Sequence, residues 1–135
     1  MVDRHGCYTR LRARLCANHP EQYAIKPALQ GNQDHVKEMM ERLRRRRDMT
    51  YDMLNAIPGI SCVKPAGAFY AFPRLEIEET DDEFVQGLIK EYGVVVVPGS
   101  GFGQVPGTKH FRVVFLPPED VLEKAFKNIA QYRDR

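Results

Sequence analysis

The stretch from Thr80 to Gly103 strings together a helix start, a helix stop, a run of valines and a glycine-rich turn, and that order admits few folds. Thr80-Asp81-Asp82-Glu83 is a capping box, in which a threonine hydroxyl accepts from the amide three residues on and the glutamate reaches back. Phe84, Val85, Leu88, Ile89 and Tyr92 then recur at helical spacing, and Gly93 supplies the stop. Val94–Val97 is apolar and β-branched throughout, the pattern of a strand covered on both faces. A further strand is expected over His110–Leu116. The last helix should start at Pro117-Pro118-Glu119-Asp120, with Val121, Leu122, Ala125, Phe126 and Ile129 facing inward.

Upstream, Asn18-His19-Pro20-Glu21 reads as a helix start. That helix should reach Gly31-Asn32 with a kink or early break near Lys26, because Pro27 removes a donor and crowds the preceding turn. Val36, Met39, Met40, Leu43, Thr50, Met53, Leu54 and Ile57 recur every three or four residues, which predicts one long amphipathic helix from Asp34 to the stop at Pro58-Gly59. Ile60–Val63 and Ala68–Phe72 read as short strands around Lys64-Pro65-Ala66-Gly67. The sum is an α/β (α+β) fold, a small sheet of about three to four short strands packed on helices. At 135 residues, one domain over 1–135 is expected.

Charge and patterning exclude several functions. The formal net charge is only +2, so nucleic acid is not an expected partner. Arg44-Arg45-Arg46-Arg47 points around most of a helix rather than forming one stripe, and Glu38 and Glu41 lie four residues before Arg42 and Arg45. No apolar run approaches the roughly 20 residues needed to span a bilayer. Met1–Gly6 lacks the apolar region of a secretory signal, so the cytoplasm is the expected setting. Cys7, Cys16 and Cys62 are widely spaced and odd in number, which predicts reduced thiols without a disulfide or a metal. Ser61-Cys62-Val63-Lys64 fits S-x-x-K but has neither of the motifs that accompany a serine nucleophile.

Three places break the plain pattern. Pro98-Gly99-Ser100-Gly101-Phe102-Gly103 follows a strand, yet no helix follows at once to make a phosphate cradle, so it reads as a shaped, backbone-exposing loop. Arg112 stands among Phe111, Val113, Val114 and Phe115. A guanidinium placed there needs an anion, a salt bridge within the fold or an outward orientation, and the sequence leaves these open. Gly67-Ala68-Phe69-Tyr70 sets two aromatics at a strand start, more often core than site.

Taken in order, Ile57-Pro58-Gly59-Ile60, Lys64-Pro65-Ala66-Gly67-Ala68-Phe69-Tyr70, Val97-Pro98-Gly99-Ser100-Gly101-Phe102-Gly103 and Phe111-Arg112-Val113-Val114-Phe115 resemble the carboxy-terminal small domain of class I/II aminotransferases of pyridoxal-phosphate fold type I. Their spacing is similar to the archaeal and bacterial alanine and aspartate aminotransferase branch, from about Leu15 onward. The resemblance implies residues 16–135 as the small domain and 1–15 as a remnant of its connection to the large domain, with Asn18-His19-Pro20 near a domain crossing and dimer interface. It implies a dimeric enzyme that moves an amino group between an amino acid and a 2-oxo acid through pyridoxal phosphate. Arg112 would bind the substrate α-carboxylate, Phe69 and Tyr70 with Gly67 would line the small-domain wall, and Gly99, Ser100, Gly101, Phe102 and Gly103 would rim the mouth.

None of the chain's lysines matches the family's Schiff-base motif. No catalytic residue is therefore expected within it, and alone it should bind the cofactor weakly or not at all and not transaminate. The competing expectation is a non-catalytic α/β unit, or truncated gene product, that associates with a separate large domain or with its own copy through bare apolar surface.

Overall fold

The computed structural model describes residues 18–135. The chain falls into two compact units, Met1–Glu38 and Met39–Arg135. The expected remnant over 1–15, with Cys7 and Cys16, lies outside the described residues.

Helix α1 spans His19–Gln30 with Pro20 in its first turn. It runs through Pro27 instead of breaking near Lys26. One N–H is missing from the ladder, but the helix still closes, with Gly31 N donating to Pro27 O at 2.8 Å. None of its residues is buried.

Helix α2 spans Asp34–Asn55. Its apolar stripe is used unevenly: Thr50 and Leu54 are buried, whereas Val36, Met39 and Met40 are exposed. The ion pairs found in the arginine run are not the Glu38–Arg42 and Glu41–Arg45 pairs that the spacing suggested. Arg46 reaches Glu119 at 3.4 Å and donates to the Leu116 carbonyl, and Arg47 meets Asp48 at 2.7 Å. Partial burial explains the choice, because a half-buried guanidinium is better served by the partner it packs against than by one across open water.

Five short strands follow, all antiparallel: β1 Ile60–Ser61, β2 Tyr70–Ala71, β3 Arg74–Leu75, β4 Val97–Pro98 and β5 Lys109–Val114. β5 is central. Tyr70 pairs with Val114, Ala71 with Val113, Arg74 with His110 and Leu75 with Lys109, so β2 and β3 share one register along it. They are separated only at Phe72-Pro73, where proline has no amide to give and its carbonyl accepts from Phe111 N at 3.2 Å. β1 lies outside β3, and β4 lies on the opposite edge of β5.

Helix α3 (Asp81–Tyr92) opens on the expected capping box and ends at Gly93, whose φ of 65° is left-handed. Helix α4 covers Glu119–Arg133. Phe84 and Leu88 of α3, Phe126 and Ile129 of α4 and Leu54 of α2 meet Phe111 and Phe115 in one buried cluster on one face of the sheet. Each buried phenylalanine contributes roughly 1.5–3 kcal/mol of apolar transfer. Cys62 is a free buried thiol, and burial pushes its pKa up, as suits an inert side chain.

The valine run departs from expectation. Only Val96 is buried, and Val95 is 77% exposed. The run is an edge segment that pairs with β5 only at Val97–Pro98, so it is covered on one face rather than two. Among the described residues no helix is long and apolar enough to cross a membrane.

Candidate functional site

Alternation along β5 sorts its side chains. Phe111, Val113 and Phe115 enter the core, which leaves His110, Arg112 and Val114 on the other face. The ladder on either side places Phe72 opposite Arg112, and Val97 pairs with Arg112 from β4. The outer face of this small sheet is thus largely aromatic, with a guanidinium in its middle.

Two rings engage that guanidinium. Arg112 Cζ lies 3.9 Å from the centroid of Phe102 and 4.7 Å from that of Tyr70, both within cation–π range. Its Nε is shut off from solvent with no hydrogen-bond partner. Among the described residues no carboxylate pairs with it. The internal salt bridge left open by the sequence is therefore absent there, and the charge sits in a half-buried aromatic setting that an anion would complete.

Phe102 arrives on a single 3-10 turn, Gly99–Phe102, that follows β4. Gly99 is required by close approach: a Cβ there would stand 2.7 Å from the His110 carbonyl oxygen. Gly103 then turns the chain with φ 69°. Asp81, 6% exposed at the start of α3, accepts from the Ser100 amide at 2.7 Å and more weakly from Gln104 Nε2 at 3.4 Å. Burial alone would raise the pKa of Asp81, but the Ser100 amide and hydroxyl, with the first amides of α3, outweigh it and hold the carboxyl below its ordinary value.

His110 stacks on Phe72 with ring centroids 4.9 Å apart and planes within 5°. Burial first, then the positive charge of Arg74, lower its pKa, with Asp81 opposing. A neutral imidazole results near pH 7, so His110 gives this face a ring and not a second cation.

The structure gathers Arg112, Tyr70 and Phe102, with Gly99, Ser100, Gly101 and Gly103 shaping the turn that carries the last of these. Of Gly67 and Phe69, only the latter meets this group: its ring lies against that of Tyr70, centroids 4.6 Å apart, without being one of the two that engage Arg112. Phe69 lies on the core side of the sheet, and both residues line a separate cavity of about 250 Å³ with Arg44, Arg47 and Phe115. Ala68 between them has φ 56°, an uncommon conformation for a residue with a Cβ. On the far side of β4, a cleft of about 790 Å³ opens between Val94–Val97, Leu116 and Val121, with Arg112 at its wall. Sequence reasoning passed over Phe72 and His110, which the pairing register of β5 brings to the face of Arg112. It also passed over Asp81, which had been absorbed into the capping box.

Comparison with known proteins settles the kinship. The profile of the family aminotransferase class I and II matches residues 5–129. The chain belongs to that family. A glutamate-pyruvate aminotransferase, AlaA, of Haemophilus influenzae is 39% identical over 88% of this chain, and the match covers 31% of that protein. An alanine aminotransferase of Mycobacterium tuberculosis is 40% identical over 88% of the chain and 29% of its own length. Among solved structures, an alanine aminotransferase from Pyrococcus furiosus superimposes with a TM-score of 0.83 at 46% identity, covering 92% of this chain and 32% of that one. An aminotransferase from Escherichia coli gives a TM-score of 0.81 at 36% identity over 96% and 33%. This family member therefore spans about a third of the length of the relatives it matches.

The family implies pyridoxal phosphate. The residues described do not make a seat for it. Lys109 donates to the carbonyls of Ile77 and Glu78 at 2.7 Å each, while Lys64, Lys37 and Lys127 pair with Asp48, Asp34 and Glu123. No lysine joins the Tyr70–Phe102–Arg112 cluster, and the nearby buried carboxylate, Asp81, is committed to Ser100. No group of three or more potential metal ligands exists among the described residues. What this aminotransferase segment presents is a guanidinium against two rings, with no acidic partner among the described residues.

Proposed function

We propose that this chain is the small-domain part of an aminotransferase that moves an amino group between an amino acid and a 2-oxo acid, and that Arg112 grips the substrate α-carboxylate. The observation that carries this is the guanidinium itself. It lies on an aromatic sheet face beside the glycine turn, stacked against Phe102 and Tyr70, without an acidic partner among the described residues. A carboxylate meets a guanidinium fork edge-on and in plane, and contact with a ring's π-face uses up none of the fork's N–H donors. Pyridoxal phosphate, and the lysine that would carry it, are assigned to other parts of the full-length enzyme. Relatives named alanine aminotransferase make alanine and its 2-oxo acid the substrates to try first. A reduced cytoplasmic setting accords with the free thiol of Cys62.

The test is Arg112→Lys in a full-length enzyme carrying this segment. Losing a bidentate, charge-assisted contact should weaken the amino acid by about 1.5–3 kcal/mol, or roughly 10- to 150-fold. An amino-acid affinity equal to that of the parent would remove the assignment.

A second reading, an α/β unit that works by association, is favoured by the bare valines of the cleft beside β4. Sedimentation of the chain over a range of concentrations addresses it, and a monomer throughout would count against self-association.

A further inference from the structure

Asp81 carries more than its place in the helix start demands. The capping box at the α3 N-terminus is closed by Thr80 and Glu83: the threonine hydroxyl accepts from Glu83 N at 3.2 Å, and the glutamate carboxylate accepts from Thr80 N at 2.9 Å. As a residue Asp81 is 6% exposed, and no cation pairs with it among the described residues. Burying a carboxylate is expensive unless hydrogen bonds meet it. Here the strongest of them is spent on an amide 19 positions on, that of Ser100.

That amide lies in the middle of the 99–102 turn. The start of the turn is fixed by Gly99 pressed on the His110 backbone, but around Gly101 and Gly103 there is open space. Phe102 is 45% exposed. Among the described residues the one ring pairing of Phe102 is with Phe72, edge-on at 6.4 Å. Between a tight start and two glycines with open space beside them, the Asp81–Ser100 bond ties the middle of the turn to α3.

We propose that Asp81 is a positioning residue for Arg112: by holding the Ser100 amide it locks the turn so that Phe102 lies on the guanidinium and the fork is pre-oriented for a carboxylate. The inference rests on reading Arg112 as the acid grip. A guanidinium held between rings loses less freedom when an anion arrives, and pre-organisation of this kind favours binding without a new contact to the ligand.

The test reads Arg112 directly, on the full chain and with no ligand. The Nε proton is shielded from solvent and belongs to a guanidinium whose Cζ lies over the Phe102 ring at 3.9 Å, so its NMR resonance should be displaced upfield, and Phe102→Leu should abolish most of that displacement. Asp81→Ala should do the same. Asp81→Asn, which keeps an acceptor oxygen for Ser100, should retain it. Thr80→Ala weakens the same helix start without touching the turn, so it should lower the melting temperature and leave the resonance in place.

Should Asp81→Ala leave the signal where it was, or Thr80→Ala move it equally, the proposal is wrong. If Asp81→Ala does not fold, Ser100→Pro deletes the donor while leaving the carboxylate, and an unmoved Arg112 signal there overturns the proposal in the same way. Because no carboxylate is present, this outcome is independent of the Arg112→Lys result, which judges the acid grip itself.

Discussion

The side-chain amide of Asn55 is hydrogen-bonded at both ends to the backbone of Cys62: its oxygen accepts from Cys62 N at 2.9 Å, and its nitrogen donates to Cys62 O at 3.1 Å. The last residue of α2 thereby imitates a strand neighbour and finishes the ladder just beyond β1. Asn55→Ala would strand both backbone groups of a residue that is 7% exposed. The expected cost is about 1–3 kcal/mol, read as a lower urea midpoint. Asn55→Asp keeps the acceptor but sets a charge against the Cys62 carbonyl, and it should not restore stability.

Gly87 is fixed by Tyr132. A methyl group there would collide with the tyrosine hydroxyl and ring. The ring cannot easily yield, since Phe84 and Tyr92 stand at 5.4 Å and 6.1 Å from it. Alanine would gain about 1 kcal/mol of helix propensity in α3. Overpacking of this kind costs about 1–3 kcal/mol. Gly87→Ala should therefore lower stability on balance, and Tyr132→Phe should recover part of the loss. An unchanged melting temperature in Gly87→Ala would refute the packing argument.

Ala68 points the other way. Holding alanine at φ 56° costs about 1–2 kcal/mol, part of which glycine gives back through a freer unfolded chain. Ala68→Gly is expected to stabilise by up to about 1 kcal/mol, and a reduced denaturation midpoint would show that the loop is not held left-handed in solution.

Acid should destabilise the fold in two stages of the same sign. His110 has a folded pKa below its ordinary 6.5, so the unfolded chain takes up the proton first, and stability present above that value is lost as the pH falls. Asp81 and Glu83 have folded pKa values below 3.8 and 4.5, and what they contribute above those values is lost as the pH drops further. Urea midpoints measured from pH 7.5 to 3 should fall throughout, and His110→Gln should flatten the upper part of the curve. A midpoint that rose between pH 7 and 5.5 would contradict the His110 environment.

Much of this architecture was legible in local chemistry. The capping box, the Gly93 stop and the core faces of α3 and α4 follow from spacing, because neighbours along the chain decide them. The Pro27 region and the valine run did not follow. One missing amide was not enough to end a helix, and four valines look alike whether one face or both are covered. The pairing of β1 with β3 rather than β2 depends on where Pro73 interrupts the ladder, which no single residue announces. At the site, Arg112 was conspicuous as a charge among apolar residues. The rings on its face were only half visible: Tyr70 and Phe102 belonged to motifs, whereas Phe72 and His110 declare themselves only once β5 has a register. Asp81 was hidden by being read as part of a helix start, since a carboxylate serving a turn 19 positions away leaves no periodic trace.

Because one register runs past Pro73 on both sides, the stretch from Tyr70 to Leu75 works as a measuring rod laid along β5. Its length, more than its composition, decides which ring meets the guanidinium. Slipping a single extra residue in at Pro73 would leave the backbone with partners but trade Tyr70 for its neighbour. The charge would then lose an aromatic wall although every side chain around it had been kept.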